Sequence, residues 1–421
     1  MDSITKPNGI DSLDVLVIGG GPAGSAAATI LAQQGLRVQL FERDRFPRFH
    51  IGESLIPHTY SVLERIGMLP HLQDSHFTKK YGVQFINEQG KLSEPFRFSD
   101  YDDHPRSQTW QVRRSEFDLM LLNNARQHGV EVHEETRVLQ VIFDGSRAIG
   151  ARIRSQDGTE RNVFAKVIVD ASGQSSVLLD RLGLRVWDPD LKKAAIWSYW
   201  KGAQREPGLD DGGTIVIQTQ DKKGWFWYIP MHDDVVSVGV VANFDYLFKN
   251  RSSTDLETIF WEEVERCPGV KPRIENAAIV DAFRAQKEYS YKATQAAGDG
   301  WVLIGDAYGF LDPLYSSGVL LALTSAEMAA DAIIAALAVD DPSEARLRSW
   351  EGEYNKAVDR MKNLVCAFYD GLNFGRLVRN HPDKKGLITD ILIGNLFNEE
   401  VDQLWPLIEA QRAEDMAAAS S

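Results

Sequence analysis

Cysteine is nearly absent from this 421-residue chain: Cys267 and Cys366 lie far apart and lack the spacing of a zinc or redox pair. A disulfide framework is excluded, the two thiols read as reduced, and no metal site is expected. Basic residues are in deficit. The 46 Lys and Arg against 60 Asp and Glu leave a formal net charge of −14. That balance argues against nucleic acid as a partner, because phosphate neutralisation needs clustered cations. Long apolar runs are missing too, so no bilayer-spanning segment and no integral membrane anchoring are expected. The opening Met-Asp-Ser-Ile-Thr-Lys lacks the charged-then-apolar order of a secretory signal, which makes the cytoplasm the expected compartment. No internal repeat is visible, and biased composition is confined to the Ala-Ala-Ala-Ser-Ser tail. What is there is ordinary for a globular protein, 43% hydrophobic and 25% charged, on a chain long enough for two or three intertwined domains.

Asp14-Val-Leu-Val-Ile-Gly19 is a β-branched apolar run stopped by glycine, the pattern of a buried parallel strand. Small residues at helical spacing follow from Pro22 to Gly35, and Arg37-Val-Gln-Leu-Phe-Glu42 reads as the next strand. Together these make a doubly wound strand–turn–helix–strand unit. Short alternating strands with an Asp157-Gly158 turn lie between Asp144 and Val169. From Ala194 to Phe244 the pattern predicts antiparallel strands, among them Thr214-Ile-Val-Ile-Gln218 and Trp225-Phe-Trp-Tyr-Ile229. Five of the ten tryptophans fall between Trp187 and Trp227, so this sheet is expected to present an aromatic wall. A buried strand returns at Gly300–Asp306, followed by an Ala-rich helix over about 318–338, and the rest is helical.

Gly19-Gly-Gly21-Pro22-Ala23-Gly24 fits the dinucleotide fingerprint. Gly19 permits the tight turn, Gly21 a close backbone approach to a pyrophosphate, and Gly24 close packing of helix on strand. The helix N-terminus offers free N–H groups and a partial positive charge. Glu42 stands where a carboxylate grips ribose hydroxyls. The turn alone does not separate FAD from NAD. Its N-terminal position and two distal segments favour FAD: Val167-Ile-Val-Asp-Ala-Ser-Gly173, and Trp301-Val-Leu-Ile-Gly-Asp306 with Asp306 set to accept hydrogen bonds from the cofactor.

With Arg114-Ser-Glu-Phe-Asp118, these segments resemble the flavin monooxygenases typified by aromatic hydroxylases. Arg114 has a second reading, a surface salt bridge with Glu116 or Asp118. Gly52-Glu-Ser54-Leu-Ile-Pro57, Trp225-Phe-Trp227-Tyr-Ile-Pro230 and Asp312-Pro-Leu-Tyr-Ser316-Ser317-Gly318-Val319 narrow the resemblance to the FAD-dependent halogenases. That family's motifs include W-x-W-x-I-P, a flavin-proximal S-S-G turn and a lysine in an F-x-x-K-x-G setting. Phe77-Thr-Lys79-Lys80-Tyr-Gly82 puts Lys80 at the lysine position, with Lys79 as the register-shifted rival.

The resemblance implies an α/β fold. A Rossmann-like FAD-binding domain with a central parallel sheet and ββα elements would comprise 1–75, 115–190 and 285–340. An antiparallel substrate domain would take 76–114 and 191–284, and a helical region 341–421. It implies an FADH2-dependent halogenase that forms hypohalous acid from a flavin hydroperoxide and halide, and directs it through Lys80 to an electron-rich phenol or pyrrole, free or carrier-tethered. The cofactor would be held by the glycine turn, Glu42, Arg43, Ser54, Arg114 and Asp306. The halide would sit at Ser316, Ser317 and Gly318, with Trp225 and Trp227 separating substrate from flavin. Each part has a bland counterpart: core aromatics, a solvated lysine pair, a plain helix cap. Tyr308, Tyr315 and Leu320 depart from residues common in the family. No second strand–glycine–helix unit for a nicotinamide is present, so a separate flavin reductase is the expected source of reduced FAD. An acidic carrier protein would need a local basic patch, for which Arg43-Asp-Arg-Phe-Pro-Arg48 is the candidate. The competing activities are a geranylgeranyl-reductase-type reductase and an aromatic monooxygenase, with a non-catalytic flavin scaffold as a third reading.

Overall fold

A computed structural model describes residues 13–100, 103–249 and 251–419; the polar leader and the last two serines lie outside them. The expected first strand forms at Leu13–Ile18, flanked in parallel by Val38–Phe41 and Glu160–Asp170, with Val17 opposite Leu40 and Val169. Trp301–Leu303 extends the sheet on one side and Glu131–His133 on the other. The hairpin Arg137–Asp144/Arg147–Arg154 continues it through antiparallel pairing with the long strand Glu160–Asp170. Both faces of the central strands are covered, which is why Val15, Leu16 and Val17 form a continuous buried run rather than alternating.

The helix Pro22–Gln33 is buried from Pro22 to Leu31, and its small residues let it pack against the helix Gly318–Ala338. That second helix corrects one expectation: by length and composition it is apolar enough to cross a membrane. Most of it is buried inside the fold, so its apolarity is accounted for by the core it fills.

The second sheet runs in the order Gly309–Phe310, Arg284–Ala293, Arg185–Lys201, Val235–Asn243, Gly224–Pro230, Thr214–Gln218, Gly82–Ile86, Phe96–Arg97. It is not purely antiparallel, as the pattern predicted, because Thr214–Gln218 and Gly82–Ile86 pair in parallel. The period of two sorts the aromatic strand. Phe226 and Tyr228 enter a satellite core with Trp200 and Phe260, while Trp225 and Trp227 face the main core. Gly239, opposite Trp227, makes room for the indole: a Cβ there would lie 2.2 Å from the ring. A separate ribbon pairs Thr78–Lys80 with Thr109–Gln111. The C-terminal helices, chiefly Glu351–Tyr369, Lys385–Ile393 and Leu404–Ala419, pack onto the same main core.

Candidate active site

The glycine turn is built by close approach. Gly19 has φ +100°, and a Cβ on it would lie 2.5 Å from the Ala171 carbonyl oxygen. A Cβ on Gly24 would lie 1.9 Å from the Gly19 oxygen, so both positions are closed to any side chain. Gly21 differs: its nearest neighbour would be Arg48 Nη2 at 3.5 Å, and it borders a cavity of about 650 Å³. Its missing side chain opens space for a ligand rather than for the fold. Glu42, expected at a ribose, is buried and accepts hydrogen bonds from Gly20 N (2.7 Å) and Asp44 N (2.9 Å). Its carboxylate therefore holds the turn in shape and still borders the cavity.

The same cavity is lined by Pro22, Ala23, Arg43, Ser54, Arg114, Asp306, Ser316, Gly318, Trp225 and Trp227. Arg114 is not a surface pair. It is buried, donates to Asp118 (2.7 Å) and to the Ile51 carbonyl (2.6 Å), and so fixes the segment leading into Gly52-Glu53-Ser54. Glu116 pairs instead with Arg113. Asp306 faces the cavity, and burial pushes its carboxyl up to about 6. Arg43 is mostly exposed at the rim.

Ser316 adopts the left-handed conformation at φ +56°, and Ser317 occupies the N-cap position of Gly318–Ala338 without its side chain capping the helix. A plain serine cap is thus not what this turn provides. The first helical bond is Leu321 N to Ser317 O, so the amides of the first turn point out of the helix end. Ser316 and Gly318 border the cavity, whereas Ser317 and Gly24 do not.

Strand pairing separates the two lysines. Lys79 is exposed, and Lys80 is 2% exposed. Lys80 Nζ donates to Ser54 Oγ (2.8 Å) and to the Leu55 carbonyl (3.0 Å), with no carboxylate paired to it among the described residues. Burial lowers its pKa from 10.5 to about 7. Lys80 does not itself line the cavity; Ser54 stands between. The Ser54 hydroxyl also meets Thr214 Oγ1 at 2.9 Å, and Gln111 Nε2 donates to Thr214 Oγ1 at 2.8 Å. Gln111 thus donates to Thr214, and Thr214 and Ser54 share one hydrogen bond in which either hydroxyl can be the donor. Ser54 accepts from Lys80 and borders the cavity, so its hydroxyl links the buried amine to the open space.

Several residues of this site carried no sequence signal of their own. Glu53 lies within Gly52-Glu-Ser54 with no sign of a role in the sequence; it is buried, accepts from Tyr199 OH at 2.6 Å, and burial raises its carboxyl. Trp227 Nε1 donates to Ser237 Oγ (3.1 Å), and its ring lies 6.1 Å from that of Trp197. Trp225 Nε1 donates to Tyr369 OH (3.0 Å), which donates in turn to Asp312 (3.1 Å). Tyr369 therefore braces Trp225 from behind the cavity wall. Thr214, Gln111 and Tyr369 are ordinary core residues in any linear pattern and become visible only through their partners.

A parallel sheet with a glycine cradle, a large cavity and a second aromatic-walled sheet defines an FAD-dependent oxidoreductase. The model for FAD dependent oxidoreductases matches residues 14–180, and the model described as Tryptophan halogenase matches residues 100–373. The chain is 31% identical to the 1H-pyrrole-2-carbonyl-(peptidyl-carrier protein) chlorinase of Pseudomonas fluorescens, over 94% of this chain and 93% of the relative. The solved flavin-dependent brominase Bmp2 superposes with a TM-score of 0.84 at 30% identity, covering 98% of this chain and all of that one. A flavoprotein/dehydrogenase from Cytophaga hutchinsonii reaches a TM-score of 0.85 at 27% identity, covering 97% of this chain and 100% of its own, so the backbone alone does not single out halogenation. The matched family model and the 31% relative do: the chain belongs to the flavin-dependent halogenases, enzymes that use FAD and a halide.

Proposed function

We propose that the cavity holds FAD along Gly19–Gly24 and a halide at the Ser316–Gly318 turn, and that Lys80 directs the oxidised halogen to an electron-rich aromatic, a phenol or a pyrrole. The single observation that supports this most is Lys80: a buried amine with no carboxylate partner among the described residues, one hydroxyl away from the cavity. Bound reduced flavin supplies, with O₂, the oxidising power that turns halide into an electrophile. The chain's own residues do the rest. Gly21 admits the pyrophosphate, and the helix N-terminus after Pro22 complements its charge. The amides opening Gly318–Ala338 favour an anion. Trp225 and Trp227, held by Tyr369 and Ser237, keep the organic substrate apart from the flavin and exclude water. Lys80, acting through the Ser54 hydroxyl that separates it from the cavity or as the amine itself, would hold hypohalous acid. The pyrrole chlorinase relative supports an acyl group on a carrier protein as one form of substrate. Exposed Arg43 at the cavity rim, with exposed Arg45 two residues further on, would supply the cations that an acidic carrier would meet.

The test is aerobic incubation with FAD, NADH, a flavin reductase, bromide and a panel of phenols and pyrroles, free and carrier-loaded, read by mass spectrometry. Brominated product is expected from the parent protein. Lys80→Ala should lose at least 100-fold of it while retaining FAD, and omitting the reductase should abolish it. Hydroxylated or saturated products alone, or full activity in Lys80→Ala, would overturn the reading.

A further inference from the structure

His76, Glu116 and His232 come together outside the cavity, and none of them belongs to its lining. One ligand-capable atom from each lies within 4.8 Å of the others. His76 Nε2 is 2.9 Å from Glu116 Oε2, and His232 Nε2 is 3.3 Å from Glu116 Oε1. Tetrahedral bonds of about 2.0–2.1 Å put neighbouring donors roughly 3.3 Å apart, so the spacing already suits a small ion. His232 adds an independent sign. It is 8% exposed, yet neither ring nitrogen makes a hydrogen bond, and Nε2 points at Glu116. A buried imidazole with two unsatisfied nitrogens is costly unless something else takes its lone pair.

The geometry points to a binding site for a divalent ion of the zinc class, ligated by His76, Glu116 and His232, with water or Asp233 completing the tetrahedron. Two imidazoles and a carboxylate are a donor set suited to borderline transition ions. Arg113 is the competitor. Its Nη1 is 3.1 Å from Glu116 Oε1, and Nη2 is 3.7 Å from Asp233 Oδ2. At 36% side-chain exposure it can swing into solvent when an ion takes its place. The sequence expectation of no metal site rested on cysteine spacing, whereas this set is assembled from three remote segments. Each segment leads to the candidate active site: His76 precedes the Lys80 strand, Glu116 opens the Arg114 helix, and His232 follows the Trp225–Trp227 strand. An ion here would clip the three together.

Equilibrium dialysis of the chelator-washed, FAD-loaded enzyme against Zn²⁺, with metal analysis, tests the site. One Zn²⁺ per chain is expected, with micromolar affinity and a rise in Tm of a few degrees at saturation. His76→Ala (exposed, so no folding loss is expected) and His232→Ala should each weaken binding at least tenfold. Arg113→Ala should tighten it, a response that a purely structural ion pair would not give. X-ray absorption of the bound ion should show imidazole scattering. Substoichiometric Zn²⁺ in the parent, or unchanged affinity in His76→Ala, would overturn the proposal.

Discussion

Lys80 shows how much one residue's surroundings decide. Its folded pKa of about 7 lies below the 10.5 of an exposed lysine. Between those values the unfolded chain binds more protons than the folded one, so stability rises with pH across that window. Below pH 7 both states hold the proton and the whole desolvation cost is borne, a span worth at most about 5 kcal/mol. Lys80→Met is therefore expected to stabilise the protein most below pH 7, with the advantage fading as pH approaches 10.5. Urea unfolding of both proteins at pH 6 and pH 10 measures the difference, and an advantage independent of pH would contradict it. The sequence offered two adjacent lysines and one motif register. That register points to Lys80 but does not show which of the two is buried, which depends on pairing Lys80 with Thr109, 29 positions along, and on Ser54 on a third segment.

At the scale of elements, the strand–turn–helix at the N-terminus was legible because its contacts are local and each glycine has a steric reason. Two of those reasons can be told apart. Gly24→Ala drives a methyl into the Gly19 carbonyl and should cost both fold and flavin. Gly21→Ala meets only Arg48 at the edge of the cavity, so the protein should keep its melting temperature within a few degrees and lose at least tenfold in FAD affinity. Circular dichroism melts and a flavin fluorescence titration separate the two outcomes. Equal effects from both substitutions would mean that Gly21 serves the fold rather than the ligand. The parallel pairing of Thr214–Gln218 with Gly82–Ile86 was not legible, since an apolar strand reads the same whichever way its neighbour runs. The strand Arg185–Lys201 was seen only in part: Asp188-Pro189 interrupts its pattern, and the pairing register shifts between Trp187 and Lys192.

Across the whole molecule, the cofactor cradle draws on distant stretches of chain. Gly19 abuts Ala171, and Gly305 approaches Ala23 so closely that a Cβ there would lie 3.0 Å from the alanine methyl. The segment 14–180 resembles FAD dependent oxidoreductases by itself, but the strand Trp301–Leu303 and the Gly305–Asp306 turn come later. A fragment spanning 1–180 is expected to emerge from gel filtration without flavin, and stoichiometric flavin in that fragment would contradict the dependence.

This interleaving bears on how the enzyme is made. Synthesis runs from the N-terminus, so a growing chain exposes its glycine turn long before the partners of that turn have left the ribosome. The wall that ties Trp225 to Tyr369 is finished later still. Cofactor loading is therefore expected to await a nearly complete chain, which would keep an unfinished one from generating an oxidant that it has no means to contain.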